Sequence, residues 1–365
     1  MDILVCPDKF KGTLDANSVT LHLAKGLTMA DPGLSVVEMP LADGGEGTAE
    51  ILAESCKANK KNCQVSDPLG RSLSSHYFID DQTAFIELAM ASGLALLDAS
   101  ERDPLRTSTR GTGELIRDAI LSGARRIFLC LGGSATNDGG MGIAETMGAR
   151  FLDEGGNVLE PCGNNLAKVT SVDLSHLISV PPLTILHDVK NPLLGKEGAA
   201  MVYSEQKGAK EQHKQYLEKG MAHFHDVIMA KTGKSFEKIP GMGAAGGTAL
   251  CPVALFGAEL QAGFEEVSGQ LDLERSMKAV DVVVTGEGKL DEQSFQGKVV
   301  GSVIEMAAKF KKPVFVVCGS TEVLSEQFTI LTLEHLAGTI EKAMKEPGIL
   351  LEEAGALIAK ALHSA

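Results

Sequence analysis

Acid groups, lysines and glycine turns recur in this sequence at one kind of place, directly after a short apolar run. Ile3-Leu4-Val5-Cys6 is followed by Pro7-Asp8-Lys9-Phe10-Lys11-Gly12, and the run ending at Leu41 by Asp43-Gly44-Gly45-Glu46-Gly47-Thr48. Leu131 is followed by Gly132-Gly133-Ser134-Ala135-Thr136-Asn137-Asp138-Gly139-Gly140, and Leu186 by His187-Asp188-Val189-Lys190-Asn191-Pro192. Val284 leads into Thr285-Gly286-Glu287-Gly288-Lys289-Leu290-Asp291, and Cys318 into Gly319-Ser320. Turns of this composition suit anion binding. Backbone N–H groups of Gly132, Gly133 and Ser134, opening a helix over 140–148, can hold a phosphate at the helix N-terminus. The plainer reading is a tight connection capped by Ser134 or Thr136, but five glycines between 132 and 142 exceed what a cap needs. Lys9 and Lys11 are candidate phosphate ligands in an acidic chain. Asp188 can serve as a base, as a metal ligand or as the acid of an Asx turn. Asp43 and Glu46 can carry a metal or a substrate hydroxyl, or meet the dipole of a helix starting near Thr48.

Other chemistries find little support. The nine histidines form no ligand spacing, and His223 and His225 are two apart on a helical pattern, facing different ways. His187 lies beside Asp188, but no nucleophile-elbow serine exists. The P-loop pattern G-x-x-x-x-G-K-[ST] is absent. G-x-G-x-x-G occurs once, at Gly241, Gly243 and Gly246, but residues 234–240 before it are not a buried strand, so the dinucleotide context fails. That stretch, with Gly247, reads as a loop of backbone donors that closes on phosphates.

The elements that must position these groups are the apolar runs themselves. Residues 3–6, 127–131, 183–186, 282–284 and 314–317 are short and continuous, as in strands buried on both faces of a parallel sheet, and 36–41, interrupted by Glu38, is a weaker sixth run. Helical patterns over 17–28, 113–121 and 299–310 lie between them, which indicates an α/β fold with right-handed crossovers. In such sheets ligands bind beyond the carboxyl ends of the strands, where the turns above fall. Residues 74–97 read as a hairpin turning at Asp80-Asp81, and 151–165 as a loop. These suggest a second, smaller domain inserted in the first. The expected division is 1–65 with roughly 265–365 and 106–150, against roughly 66–105 with 151–264. Tyr216, Leu217, Met221, Phe224 and Ile228 form a helical stripe that reads as core.

Length and charge narrow the classes further. The chain has 365 residues, which suits two domains. Its net charge of −14, its 4% aromatic content and the lack of tryptophan argue against nucleic-acid binding. Seven cysteines, an odd number without C-x-x-C, read as thiols of a reducing compartment. The N-terminus enters a strand with no signal-peptide pattern. Residues 239–258 carry no charge but hold two prolines and five glycines, a glycine loop followed by a buried helix over 248–260 and not a membrane span.

Taken in order, the turns resemble the type I glycerate kinases. The matching blocks are Pro7 to Gly12, Leu41 to Thr48, Asp67-Pro68-Leu69-Gly70-Arg71, Arg110-Gly111-Thr112-Gly113-Glu114-Leu115-Ile116, Gly132 to Gly140, Asp188 to Leu193, and Gly243-Ala244-Ala245-Gly246-Gly247. Thr285-Gly286-Glu287-Gly288 with Asp291, Gln293, Ser294, Gly297 and Lys298 completes the set, so the resemblance spans residue 1 to about 320. It implies two α/β domains around a cleft, one a Rossmann-like or flavodoxin-like parallel sheet and the other a smaller mixed sheet. It implies ATP-dependent phosphorylation of D-glycerate with Mg²⁺, 2-phosphoglycerate being favoured, in a cytoplasmic monomer or homodimer without nucleic-acid or membrane partners. On this reading Gly132, Gly133, Ser134, Thr136, Gly243, Gly246 and Gly247 hold phosphates. Asp188 orients or deprotonates the substrate hydroxyl, and Lys11 neutralises charge. Asp8, Lys9, Arg71 and Asn191 bind substrate, and Asp43, Glu287 and Asp291 hold Mg²⁺. Lys9 stands where the family commonly has Ser and His187 where it has Cys, and the stretch after Gly319 is shorter and matches poorly. Two further classes stay open: an NAD(P)-dependent oxidoreductase of a small hydroxy acid, and a non-catalytic sugar-acid sensor.

Overall fold

The structure is a computed structural model that describes residues 1–295 and 297–364. Among them the strands run, in chain order, β1 Asp2–Val5, β2 Ser35–Glu38, β3 Asn59–Ser66, β4 Ser72–Ile79, β5 Thr83–Glu87, β6 Arg126–Cys130, β7 Arg150–Leu152, β8 Ser171–Asp173, β9 Leu183–His187, β10 Glu259–Ala262, β11 Val282–Leu290, β12 Val314–Thr321 and β13 Thr329–Thr332. They build an α/β fold with one parallel sheet, one mixed sheet and the antiparallel pair β7–β8, in two bodies: Met1–Asp43 with the chain from Phe264 onward, and Gly44–Gly263 inserted between.

The first body carries a wholly parallel sheet in the order β13-β12-β11-β1-β2. Strand β1 is flanked by β11 and β2 and covered on both faces, so Ile3, Leu4 and Val5 are all fully buried. This is why the run reads as continuous rather than alternating. The helix Ala16–Ala30 starts at Asp15, whose side chain accepts from the Ser18 N–H. Its Val19, Leu23 and Leu27 repeat every four residues and join the core with Val282, Val284 and Ile358.

The inserted body carries a six-stranded sheet, β10-β9-β6-β5-β4-β3. The four strands from β10 to β5 are parallel, while β4 runs antiparallel to both its neighbours, β5 and β3. The hairpin expected around Asp80 is β4–β5. The edge strand β3 carries Lys60 and Lys61 and is mostly exposed, a composition that discourages edge pairing and hides a strand from a hydropathy reading. Leu217, Met221, Phe224 and Ile228 are buried on the helix Glu211–Thr232, while Tyr216 of the same stripe is exposed.

The division differs from the expected one. Strand β6 pairs with β5 and β9, so residues 106–150 belong to the inserted body, as do residues 44–65, and the inserted body is the larger. Both sheets have buried parallel strands, and a run such as Ile127–Leu131 does not record which sheet it joins. The helix expected over 248–260 ends at Phe256. Gly257 turns left-handed there, and β10 follows. No described helix is long and apolar enough to cross a membrane.

Candidate active site

In the inserted body, four of the turns singled out from the sequence pack on one another at the carboxyl ends of β6 and β9. The chain at Gly45-Glu46 passes so close over Gly132 that a methyl group there would overlap the Glu46 backbone nitrogen. Gly44 lies against the His187 backbone. Gly243 donates its N–H to the Asn191 carbonyl at 3.0 Å, and Gly139 to the Gly246 carbonyl at 3.3 Å. Gly246 has φ +72°, and a side chain there would run into the Thr136 carbonyl. The glycines of 243–247 therefore serve first to let two loops touch.

Among the described residues, the backbone N–H groups of Gly132, Gly133, Ser134, Thr136, Asn137 and Asp138 have no acceptor, whereas Ala135 donates to Ser92 and Gly139 to Gly246. Gly132 is half-buried, Gly133 exposed and Ser134 nearly buried, so the first part of this row opens to solvent. Successive unpaired N–H groups in a turn make a concavity that favours anions.

The helix that follows is shorter than expected, Met141–Thr146, and its N-terminus already holds an anion. Asp138 is fully buried. One carboxylate oxygen accepts the N–H and the hydroxyl of Thr109, both at 2.8 Å, and the N–H of Gly142 at 3.2 Å; the other accepts Gly140 N–H at 3.2 Å. Burial pushes its carboxyl up, and these bonds oppose the shift. A phosphate at the helix terminus would find its place taken, which leaves the earlier N–H groups at 132–134 as the open donors. A second remote carboxylate does similar work nearby. Glu87, at the end of β5, accepts the N–H of Gly47 at 2.7 Å and of Ala49 at 3.1 Å, capping the helix Thr48–Ser55.

Asp188 follows β9 directly and is exposed. Asn191 is engaged in holding its own loop, accepting from Tyr203 Oη at 2.6 Å and donating to the Glu197 carbonyl at 2.8 Å. Arg71 is engaged too. Its guanidinium bonds Asp67 and forks across both oxygens of Glu101, and Asp67 also accepts the N–H groups of Leu69 and Arg71. The Asp67–Arg71 block is thus a self-closed turn. The fork shows the bidentate geometry that a carboxylate ligand would need, with a protein carboxylate in it.

The first body gathers a separate set. Asp8 donates its N–H to the Gly286 carbonyl at 2.8 Å, and Gly288 lies against the backbone of Phe10 and Lys11. The Pro7–Gly12 turn and the Thr285–Asp291 segment therefore adjoin. Asp8 and Asp43 are buried, Glu287 and Lys9 half-buried, and Lys11 exposed. Burial, with the Asp43 and Glu287 charges adding to it, pushes the Asp8 carboxyl up to about 7, against Lys9. Burial likewise raises Glu287 to about 7, against its bond to Ser294. One Glu287 oxygen is buried with no hydrogen-bond partner among the described residues. Asp291 accepts the Gln293 N–H at 2.9 Å and caps the short turn Glu292–Phe295. No three His, Cys, Asp or Glu among the described residues are arranged as a metal ligand set. The crowded acids and the unpartnered oxygen of Glu287 nevertheless fit a cation that brings most of its own ligands.

Asp138, Glu87 and Lys207 escaped the sequence reading as positioning groups. Asp138 stood inside a quoted turn, but nothing local shows that its partners come from Thr109. Lys207 sits in a polar stretch where a lysine reads as solvated.

The profile of the glycerate kinase family matches residues 3–363. The chain is 40% identical over 325 residues to the glycerate 2-kinase of Escherichia coli K12, covering 88% of this chain and 85% of that one. It is 36% identical to the glycerate kinase of Halalkalibacterium halodurans, covering 98% and 97%. A solved structure from Salmonella typhimurium LT2 bearing the name glycerate kinase 2 superimposes with a TM-score of 0.83 at 35% identity, over 100% of both chains. Fold and turns thus define an α/β phosphotransferase. The chain belongs to the glycerate kinase family.

Proposed function

We propose that this protein transfers the γ-phosphoryl group of ATP to a hydroxyl of D-glycerate, with 2-phosphoglycerate the favoured product. The observation that carries the reading is the row of acceptor-free N–H groups from Gly132, bent at a turn that three other loops brace. Phosphoryl transfer needs positioning and charge neutralisation more than covalent help, and preformed backbone donors supply both. In this reading Gly132, Gly133 and Ser134 bind phosphate oxygens through their N–H groups, and the loop 243–247 keeps the turn in shape. Asp188, exposed at its strand end, accepts the proton of the substrate hydroxyl. That oxygen bonds to phosphorus as the bond to the ADP oxygen breaks. Lys11 and Lys9 offset negative charge. Asp43, Glu287 and Asp291 would hold Mg²⁺, which, when bound, neutralises charge on the phosphates. Seven free thiols suit a cytoplasmic setting.

The oxidoreductase reading loses support, because residues 236–240 before Gly241 form a turn and no strand. The test is one assay with ATP, Mg²⁺ and D-glycerate, following ADP by coupled absorbance and the product by ³¹P NMR. Formation of ADP in step with 2-phosphoglycerate is expected. No ADP at millimolar glycerate refutes the reading, and a 3-phosphoglycerate resonance refutes its regiochemistry.

A further inference from the structure

Lys207 belongs to none of the turns described above. It ends the short turn Glu205–Lys207, closed by bonds from Lys207 N–H to the Ser204 carbonyl and from Gly208 N–H to the Glu205 carbonyl. Its side chain is 1% exposed, and its ammonium donates to the Thr136 carbonyl at 2.7 Å. Among the described residues no carboxylate pairs with it. Asp138 is the charge that favours its protonated form, but that carboxylate is spent on Thr109, Gly140 and Gly142. Burial holds the Lys207 ammonium down to about 7. An apolar side chain would fill this space without the desolvation cost of an ammonium.

The peptide it grips has polar neighbours of its own. Thr136 Oγ1 and both polar atoms of Asn137 are buried without a hydrogen-bond partner among the described residues, and both residues are 0% exposed. The Thr136 carbonyl lies on the peptide between those two side chains. Because a trans peptide is planar, fixing that carbonyl points the Asn137 N–H the opposite way. Lys207 thereby sets the orientation of the inner half of the acceptor-free row.

We propose that Lys207 is a positioning residue of the phosphate turn: its buried amino group fixes the Thr136–Asn137 peptide, and with it the bend of the turn whose Gly132, Gly133 and Ser134 N–H groups receive the nucleotide phosphates. The inference rests on the proposed phosphate role of Gly132, Gly133 and Ser134. It assigns Lys207 to nucleotide affinity, while the proton transfer at Asp188 proceeds without it.

The experiment compares the unaltered protein with Lys207→Met and Lys207→Gln in steady-state kinetics, and measures ATP binding directly by equilibrium dialysis. Lys207→Met should raise KM for ATP and the ATP dissociation constant about tenfold, the worth of one charge-assisted hydrogen bond. KM for glycerate and kcat should each stay within about threefold of the parent, because no group at the reacting hydroxyl changes. Its unfolding temperature should change little, because relief from burying the amino group offsets the loss of a donor at the Thr136 carbonyl. Lys207→Gln keeps a donor for the Thr136 carbonyl and should fall between the two. Propylammonium added to Lys207→Ala should restore part of the ATP affinity. Unchanged ATP affinity in Lys207→Met overturns the inference, and so does a parallel fall of kcat, both affinities and thermal stability without amine rescue. If the unaltered protein binds ATP yet forms no ADP with glycerate, the glycerate reading fails while the dialysis comparison still decides the role of Lys207.

Discussion

Replacing Asp138 by alanine removes the acceptor on which four buried donors converge. The two bonds from Thr109, both 2.8 Å, are charge-assisted, and each such bond contributes about 1.5–3 kcal/mol. The two at 3.2 Å, from Gly140 and Gly142, are longer and add less. Against this stands the cost of keeping the carboxylate out of water, the same burial that raises its pKa. The variant sheds that cost but leaves the donors unpaired. The net expected loss is about 4 kcal/mol for alanine and about 2 kcal/mol for asparagine, which keeps the shape and one acceptor oxygen. Spectroscopy can isolate this effect. The chain has no tryptophan and three tyrosines, Tyr77, Tyr203 and Tyr216, and all three lie in the inserted body. Urea unfolding followed by tyrosine fluorescence therefore reports that body, while far-UV circular dichroism reports both, and a chain of two bodies need not unfold in one step. The tyrosine transition of Asp138→Ala should move to lower urea. A loss below about 1 kcal/mol in that transition would mean that water or rearranged neighbours satisfy the donors, and the argument that Asp138 holds the turn would fail.

Asp188→Asn should lower kcat by about 10²–10⁴-fold with an unchanged circular dichroism spectrum; near-normal turnover removes Asp188 from the role of base. Gly246→Ala should cost about 1–3 kcal/mol in the tyrosine transition, because φ +72° and the Thr136 carbonyl both oppose a side chain, and it should weaken ATP binding along with it. Unchanged stability would show that the two loops part freely. Asp8 is raised from 3.8 and Glu287 from 4.5, each to about 7. Between those values the native first body keeps protons that the unfolded chain has released. Its stability should fall as pH rises from about 4 to about 7 and level off above. Circular dichroism melts in the absence of divalent ions should show this, and Asp8→Asn should flatten the slope. A melt that is stable at high pH and loses stability toward pH 4 reverses the sign and refutes the burial argument.

The elements that proved legible are those whose pattern is local. Ile3–Val5 and Ile127–Cys130 are buried on both faces, as are Val314, Val316 and Val317 around a half-buried Phe315, and all three read as unbroken apolar runs. Strand β3 did not, because an edge strand with Lys60 and Lys61 carries its information in backbone pairing with β4. The turns of the candidate site were visible as glycine and acid clusters at strand ends. What their side chains do was less so. Asp138 looks like any turn acid until Thr109 is seen against it, and the Arg71 guanidinium looks available until Glu101 occupies it. The loop at 243–247 reads as an open cradle in sequence, yet its glycines are largely consumed in letting two loops touch. Sequence spacing records where groups are offered along the chain. It does not record which of them the fold has already used.

The insertion of one body within the other sets an order on synthesis. Gly44–Gly263 is continuous, so its own strands are all available once the ribosome has passed β10. Strand β1 is different. One of its neighbours, β2, follows at once, but the other is β11, and Asp2 bonds Asp281 across 279 residues of chain. At roughly 5–20 residues per second, that edge waits on the order of 15 to 60 s for its partner. During that interval the apolar Ile3, Leu4 and Val5 have only β2 and the helix Ala16–Ala30 to pack against, with one strand edge unpaired. A nascent chain of this protein therefore carries an unpaired apolar edge until β11 emerges, and its yield in cells should depend on chaperone supply more than its folded stability would suggest.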